Sequence, residues 1–151
     1  MDATDRKILD HVQRRGRDTY AEIGETAGLS VSAVNERLRK LEARGVIRAW
    51  RADVDPAALG RPVLAFVQVE LAGAKEDAAF RKAIKRLPEV LECHAVTGAC
   101  SYLLKLRVGN LAEVEAFVAE TLRPMAGMAR VESRLATSTV KETAVVPQGG
   151  G

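Results

Sequence analysis

The stretch GLSVSAVNERLRKLEARGVI, residues 28–47, decides the fold of the first third of the chain. Its apolar side chains recur at the spacing that places them on one helix face, namely Val34, Leu38 and Leu41. Ser30 stands where an N-cap residue accepts a free backbone N–H, and Gly45 follows the last apolar position, where glycine commonly ends a helix. The stretch therefore predicts an amphipathic helix from Ser30 to about residue 43.

Two shorter helices are predicted before it. Residues 5–15 carry Ile8, Leu9 and Val12 on one face and are followed by Gly16, which predicts the first helix. Thr19 and Glu22 have capping-box spacing at the start of a second helix, which Gly28 ends. A turn of three residues then leads into the third helix, as in a helix-turn-helix. The following VIRAWRADV has the composition of one or two short strands, which would form a wing.

The charge of this region favours an anionic partner. The whole chain has a formal net charge of +3 and a pI near 9.1. Residues 30–51 alone contain six cationic side chains and only two carboxylates. Two interpretations remain open at this point: a helix that enters the DNA major groove, or a three-helix bundle whose Arg and Lys side chains form a solvated face.

If the third helix binds double-stranded DNA, its side chains divide into two groups. Ser32 and Asn35 lie in its early turns and are candidates for base contact, and an Asn amide can pair with adenine N6 and N7. Ser30 is better explained as a helix cap, but a cap residue can also contact DNA. Cationic side chains give affinity and salt dependence at phosphates. The phosphate candidates are Arg37, Arg39, Lys40, Arg44, Arg48 and Arg51.

The rest of the chain predicts a second, α+β domain. Residues 52–62 contain Asp-Pro, Gly and Pro and form a predicted linker. Predicted elements then follow in the order strand, helix, strand, strand, helix, strand, which is the ferredoxin-like split βαβ pattern. The predicted domains are a winged helix-turn-helix at 1–51, the linker at 52–62, a ferredoxin-like domain at 63–143 and a flexible tail at 144–151. Because the helices cover one sheet face, we expect a second subunit on the other.

Several other classes are disfavoured. No apolar run reaches the roughly 18 residues of a membrane span, and the acidic start MDATDRKILD is unlike a signal peptide, so we expect a cytoplasmic protein. Cys93 and Cys100 fit no metal-binding or disulfide spacing and are expected to be reduced and structural. With His11 and His94 as its two histidines, the sequence shows no catalytic, cofactor or metal motif.

Several spaced motifs together resemble the Lrp/AsnC (leucine-responsive, feast/famine) family of transcriptional regulators. They are TDRKILDHVQRRGR, AEIGETAGLSVSAVNERLRKLEARGVI and ECHAVTGACSYLLKLRV, with a last strand leading into Val140 and Lys141. The resemblance covers nearly the whole chain. It implies a nucleoid-associated, DNA-binding homodimer that assembles further, often to an octamer, and a domain that senses a small-molecule effector such as an amino acid.

The resemblance also places the effector site at the turn between the second and third strands. Here the candidates are Thr97, Gly98, Ala99, Cys100, Ser101 and Tyr102. The family's Gly-Asp-x-Asp-Tyr turn has two carboxylates, where this chain has Ala99 and Ser101. Three alternatives follow: a different effector, the same class held by backbone groups, or no effector.

Two competing functions are distinguished by simple observations. An architectural DNA-compacting protein would bind cooperatively with weak sequence preference. A haem-pathway decarboxylase of similar two-domain plan would retain a coloured tetrapyrrole, but its basic and His side chains have few counterparts here.

Overall fold

The computed structural model describes residues 1–149 and divides into two compact units. The first contains residues 1–53 together with the C-terminal segment from Lys141, and the second is Val54–Val140. Gly150 and Gly151, the last two residues of the tail predicted to be flexible, lie outside the described residues.

The first unit contains three helices, as the sequence predicts. They are α1 (Ala3–Arg14), α2 (Tyr20–Ala27) and α3 (Val31–Ala43). Thr19 and Glu22 form the predicted capping box of α2, and the Ser30 hydroxyl accepts the Ala33 N–H at 3.3 Å at the start of α3. Apolar side chains of all three helices meet in a single small core. The core residues are Ile8, Val12, Ile23, Val34, Leu38 and Leu41.

The α2–α3 turn is built on two glycines. Gly28 has φ +70°, a left-handed conformation that side chains rarely adopt. A Cβ on Gly24 would stand 2.6 Å from the Leu29 carbonyl oxygen, so the turn passes too close to α2 for any larger residue. These two positions fix the angle at which α3 leaves α2.

The second unit has the predicted strand-helix order. Its elements are β1 (Val63–Leu71), α4 (Asp77–Ile84), β2 (Val90–Ala95), β3 (Tyr102–Val108), α5 (Leu111–Ala116) and β4 (Met128–Leu135). The chain of α5 continues as a π-helical segment, Phe117–Leu122, which completes the helix predicted over 111–124. The antiparallel sheet has the order β2-β3-β1-β4. This is the ferredoxin-like topology, and the predicted fold class is confirmed.

The two sheet faces differ in burial. Ala65, Val67 and Val69 alternate with Phe66 and Gln68 along β1, and the first set belongs to the core shared with the helices. On β3, Tyr102, Leu104, Leu106 and Val108 are buried in the same way. The residues between them are only half-buried and form an open sheet face.

Some local expectations differ from the structure. Residues 46–54 form none of the strands predicted for the wing, because no neighbouring strand completes a ladder with them within residues 1–149. The last strand ends at Leu135 and does not reach Val140. Val146 and Gln148, in the tail predicted to be flexible from residue 144, make hydrogen bonds with α1.

Candidate DNA-reading helix and effector cleft

The outer face of α3 is polar, cationic and exposed. Ser32, Asn35, Arg39 and Lys40 are all exposed, while Val34 and Leu38 between them are buried. The Ser32 hydroxyl lies 3.1 Å from that of the cap Ser30. Lys40 Nζ pairs with Glu36 at 2.6 Å, one helical turn away, which leaves both groups at the surface. The apolar side of α3 thus anchors the helix, and the predicted DNA-binding side chains stand on the opposite side.

Arg37 occupies a different position from the other predicted phosphate contacts. Its guanidinium donates at 2.7 Å to both the Asp2 and Asp5 carboxylates, which flank the first turn of α1. Asp5 is buried, with 9% of its surface exposed. The hydrogen bonds that Arg37 donates to Asp2 and Asp5 raise the pKa of Arg37, and the hydrogen bonds from the Asp5 N–H and Arg37 lower the pKa of Asp2. Arg37 therefore ties α3 to the start of α1.

The remaining predicted cations lie after α3. Arg44 is the exposed C-cap of the helix, and Arg48 and Arg51 lie exposed in the irregular segment 46–54. Trp50, in the same segment, donates its indole N–H to Glu42 at 2.6 Å. Its ring would be 3.9 Å from a Cβ on Gly16, so Trp50 packs within the first unit.

The predicted effector turn is held by two hydrogen bonds between Ser101 and the backbone of β1. Ser101 N–H donates to the Val69 carbonyl at 2.8 Å, and the Ser101 hydroxyl accepts the Leu71 N–H at 3.1 Å. Thr97, Gly98 and Ala99 are exposed, and Gly98 has φ +112°. Ser101, which replaces a family carboxylate, is thus a structural anchor of the turn.

Tyr102 lies on the helix-covered face of the sheet. It is buried against Phe80, and its hydroxyl donates to Asp77 and accepts from Arg81 Nε at 2.7 Å. Burial raises the pKa of Tyr102, and the hydrogen bond from its hydroxyl lowers the pKa of Asp77. The sequence grouped Tyr102 with the effector contacts, but its side chain anchors the turn to α4.

Tyr102→Phe tests this anchoring role. It removes one buried hydroxyl and its two hydrogen bonds, so we expect the second unit to lose about 0.5 to 1.5 kcal/mol of stability. Hydrogen exchange of the β3 amides measures the loss. Tyr20→Phe is the matched control, because Tyr20 is 44% exposed and its loss should cost less than about 0.5 kcal/mol. Equal protection in the two variants would contradict the anchor.

Beside the turn, β1 and β4 supply polar side chains that sequence analysis missed. A small cavity of about 30 Å³ is lined by Gln68, Glu70, Ala99, Cys100, Arg130 and Glu132. The strand register explains the grouping, because Gln68 pairs with Glu132 and Glu70 pairs with Arg130. Arg130 contacts Glu132, whereas the Glu70 carboxylate has no hydrogen bond or ion pair within residues 1–149. The alternation along each strand was visible in the sequence, but the β1–β4 register was not.

The histidines and Cys93 have local partners. His11 Nε2 lies 2.9 Å from Asp18, and His94 Nε2 lies 3.1 Å from Glu92. Cys93 packs against the core of the second unit, where burial raises its pKa. Within residues 1–149, no three His, Cys, Asp or Glu side chains are grouped as metal ligands. None of the helices described there is long and apolar enough to cross a bilayer.

A DNA-binding unit joined to a sensor-like α+β unit agrees with the family comparison. The model of the Lrp/AsnC ligand-binding domain matches residues 64–146, more than half of the chain, and a winged helix-turn-helix DNA-binding model matches residues 1–48. The chain belongs to the Lrp/AsnC family of DNA-binding transcriptional regulators, which confirms the resemblance found in the sequence. The relatives found are transcriptional regulators, which counts against the decarboxylase alternative.

Individual relatives are similar over almost the full chain. The leucine-responsive regulatory protein of Haemophilus influenzae is 37% identical, with 95% of this chain and 87% of that protein covered. Its counterpart in Escherichia coli K12 is 33% identical, with 95% and 88% covered. A transcriptional regulator of Neisseria meningitidis, solved in complex with L-methionine, is 32% identical with a TM-score of 0.92, covering 97% and 96% of the two chains.

Proposed function

We propose that this transcriptional regulator reads its operator with α3, through Ser32 and Asn35 in the major groove. The observation that carries the proposal is the position of both side chains, exposed on the first turns of a helix whose opposite side is buried. The N-terminal turns of a recognition helix are the part that meets base edges. The domain boundaries predicted from the sequence, residues 1–51 for DNA binding and 63–143 for effector sensing, are part of this proposal. Acting on DNA would place the protein at the nucleoid.

The phosphate contacts in this proposal are Arg39, Lys40, Arg44, Arg48 and Arg51, all exposed. Arg37 is assigned a positioning role, because Asp2 and Asp5 hold its guanidinium. A contact to α1 at the middle of α3 fixes the rotation of the helix about its axis. The rotation decides which side chains face the groove.

Lys40→Ala should weaken binding to all DNA sequences by a similar factor. Each phosphate contact that is lost should also reduce the slope of log K against log salt concentration by about 1. Fluorescence anisotropy with two unrelated duplexes over a salt series measures both effects. Glu36→Gln is the matched control, because it removes the ion-pair partner of Lys40 and leaves the cation in place. A loss confined to one duplex would contradict a phosphate role.

We propose that a small metabolite of the amino-acid class binds at the cavity beside the Thr97–Tyr102 turn. Glu70 supplies a carboxylate for an ammonium group, although Ala99 and Ser101 do not, and Arg130 supplies a cation. The L-methionine complex of the similar Neisseria meningitidis regulator supports this class of effector. A cavity of about 30 Å³ has room for one water, so the complete site needs a second subunit.

The open sheet face supports a homodimer as the minimum assembly. Phe66 and Leu103 are half-buried there and have no helix above them within the second unit. A second sheet on this face would cover both side chains and close the cavity, and a higher oligomer such as an octamer can follow from the dimer.

A thermal-shift screen of the full chain against the amino acids tests the effector proposal. A ligand that binds only the folded state raises its stability by mass action, by about 2.7 kcal/mol at 100 times its Kd. We expect one compound or a small group to raise the melting temperature, and Glu70→Gln to abolish the shift. An equal shift in Glu70→Gln, or no shift with any amino acid, would contradict the proposed site.

A further inference from the structure

The C-terminal segment Ala144–Gly149 makes specific contacts with α1. The Val146 N–H donates to Gln13 Oε1 at 2.8 Å, and Gln13 Nε2 donates back to the Val146 carbonyl at 3.3 Å. The Gln13 amide thus forms the same pair of hydrogen bonds that a neighbouring strand would form. The Gln148 side chain donates to the Arg6 carbonyl, about two turns nearer the start of α1.

The segment lies over an apolar groove of the first unit. The groove contains side chains of α1 and of residues 46–51, including Leu9, Val12, Ile47 and Trp50. Val146 and Pro147 line the same space from the segment. Arg48 and Arg51, two of the proposed phosphate contacts, also line this groove. The C-terminal segment and residues 46–51 therefore border the same groove.

The contact is loose enough to open. A cavity of about 610 Å³ remains in the groove, and Val146 is 68% exposed. Segments with few buried contacts open at low free energy, whereas the helices open only with the unit as a whole. Because the segment is held by a few hydrogen bonds and buries little apolar surface, its contact with α1 is reversible.

The segment also adds a second connection between the units. The chain leaves the first unit after Asp53 and returns to it at Lys141. Only residues 136–140 separate the end of β4 from this return, and β4 carries Arg130 and Glu132 of the effector cavity.

We propose that Ala144–Gly149 is a strap that holds residues 46–51 in place and so presents Arg48 and Arg51 to DNA phosphates. The strap rests on the proposed function, because its effect is measured through DNA binding. Its recognition element is the Gln13 amide on the Val146 peptide group. Ordered cations lose less conformational entropy on binding than mobile ones, so strapped and unstrapped chains differ in affinity.

The first test is amide hydrogen exchange of the full chain, of a variant that ends at Thr143 and of Gln13→Ala. We expect residues 46–51 to exchange at least about 3-fold faster in both variants, while α3 keeps its protection. Glu25→Ala, an exposed substitution on α2, is the control and should leave the exchange unchanged. Unchanged exchange at residues 46–51 in both strap variants would overturn the docking.

The second test is DNA binding by the same variants, with a duplex that the unmodified chain selects. Both strap variants should bind about 3- to 10-fold more weakly, and combining them should cost no more than either alone. In an Arg48→Ala/Arg51→Ala background, truncation should have no further effect. Unchanged affinity in the strap variants, or a full truncation effect in that background, would overturn the proposal. If the unmodified chain bound no DNA, the proposed function would fail, while the exchange experiment would still decide whether the strap docks.

Discussion

Leu38→Ala should destabilise the DNA-binding unit by about 2 to 5 kcal/mol. Leu38 is 3% exposed and is one of six buried side chains in the core of that unit. A core this small has few neighbours that can move to fill the space left by the lost methyl groups. Since α3 is held to α1 and α2 through this core, the same change should abolish DNA binding at temperatures where the unit has melted.

The single Trp of the chain makes this prediction simple to measure. Trp50 lies in the first unit, so urea denaturation followed by its fluorescence reports the stability of that unit. Val31→Ala on the same helix is the control, because Val31 is 53% exposed and should shift stability by less than about 0.5 kcal/mol. If Leu38→Ala had as small an effect as Val31→Ala, α3 would not depend on this core for its position.

Asn35→Ala should change which base is preferred at one position of each half-site. Loss of a bidentate amide contact is expected to remove about 1 to 3 kcal/mol of discrimination there and to leave the other positions unaltered. Asn35 is exposed on α3 and contributes nothing to the core, so the fold should persist. Binding measured against every single-base variant of the selected operator shows the effect.

Lys40→Ala provides the comparison for Asn35→Ala on the same helix. It should lower affinity for all operator variants equally, because phosphates are the same at every base. If Asn35→Ala instead lowered affinity uniformly, or if Lys40→Ala altered the preferred base, the roles assigned to the two residues would be wrong.

The fold was largely predictable because its signals are local. Ser30, Thr19 and Gly28 mark helix ends through hydrogen bonds to their own neighbours, and alternation along residues 63–71 marks a strand with one buried face. These patterns need no knowledge of the rest of the chain. The order of the elements then restricted the second domain to one topology.

The contacts that sequence analysis missed join residues distant along the chain. Arg37 reaches Asp5 across 32 residues, and the groups of the effector cavity come together through the β1–β4 register. The Gln13–Val146 contact spans 133 residues. The type of a side chain does not indicate which distant residue it contacts. The positive charge of Arg37 led to the prediction of a DNA contact, whereas in the structure its guanidinium binds carboxylates of the same chain.

Selection from a library of random duplexes by the full chain tests the central claim most directly. The account predicts enrichment of a pseudo-palindromic site whose half-sites are separated by about one helical turn, as two α3 helices in a symmetric dimer require. It also predicts that Asn35→Ala changes one base of each half-site in the enriched sequence. Strong binding without an enriched sequence would indicate an architectural DNA-binding protein and would contradict base reading by α3.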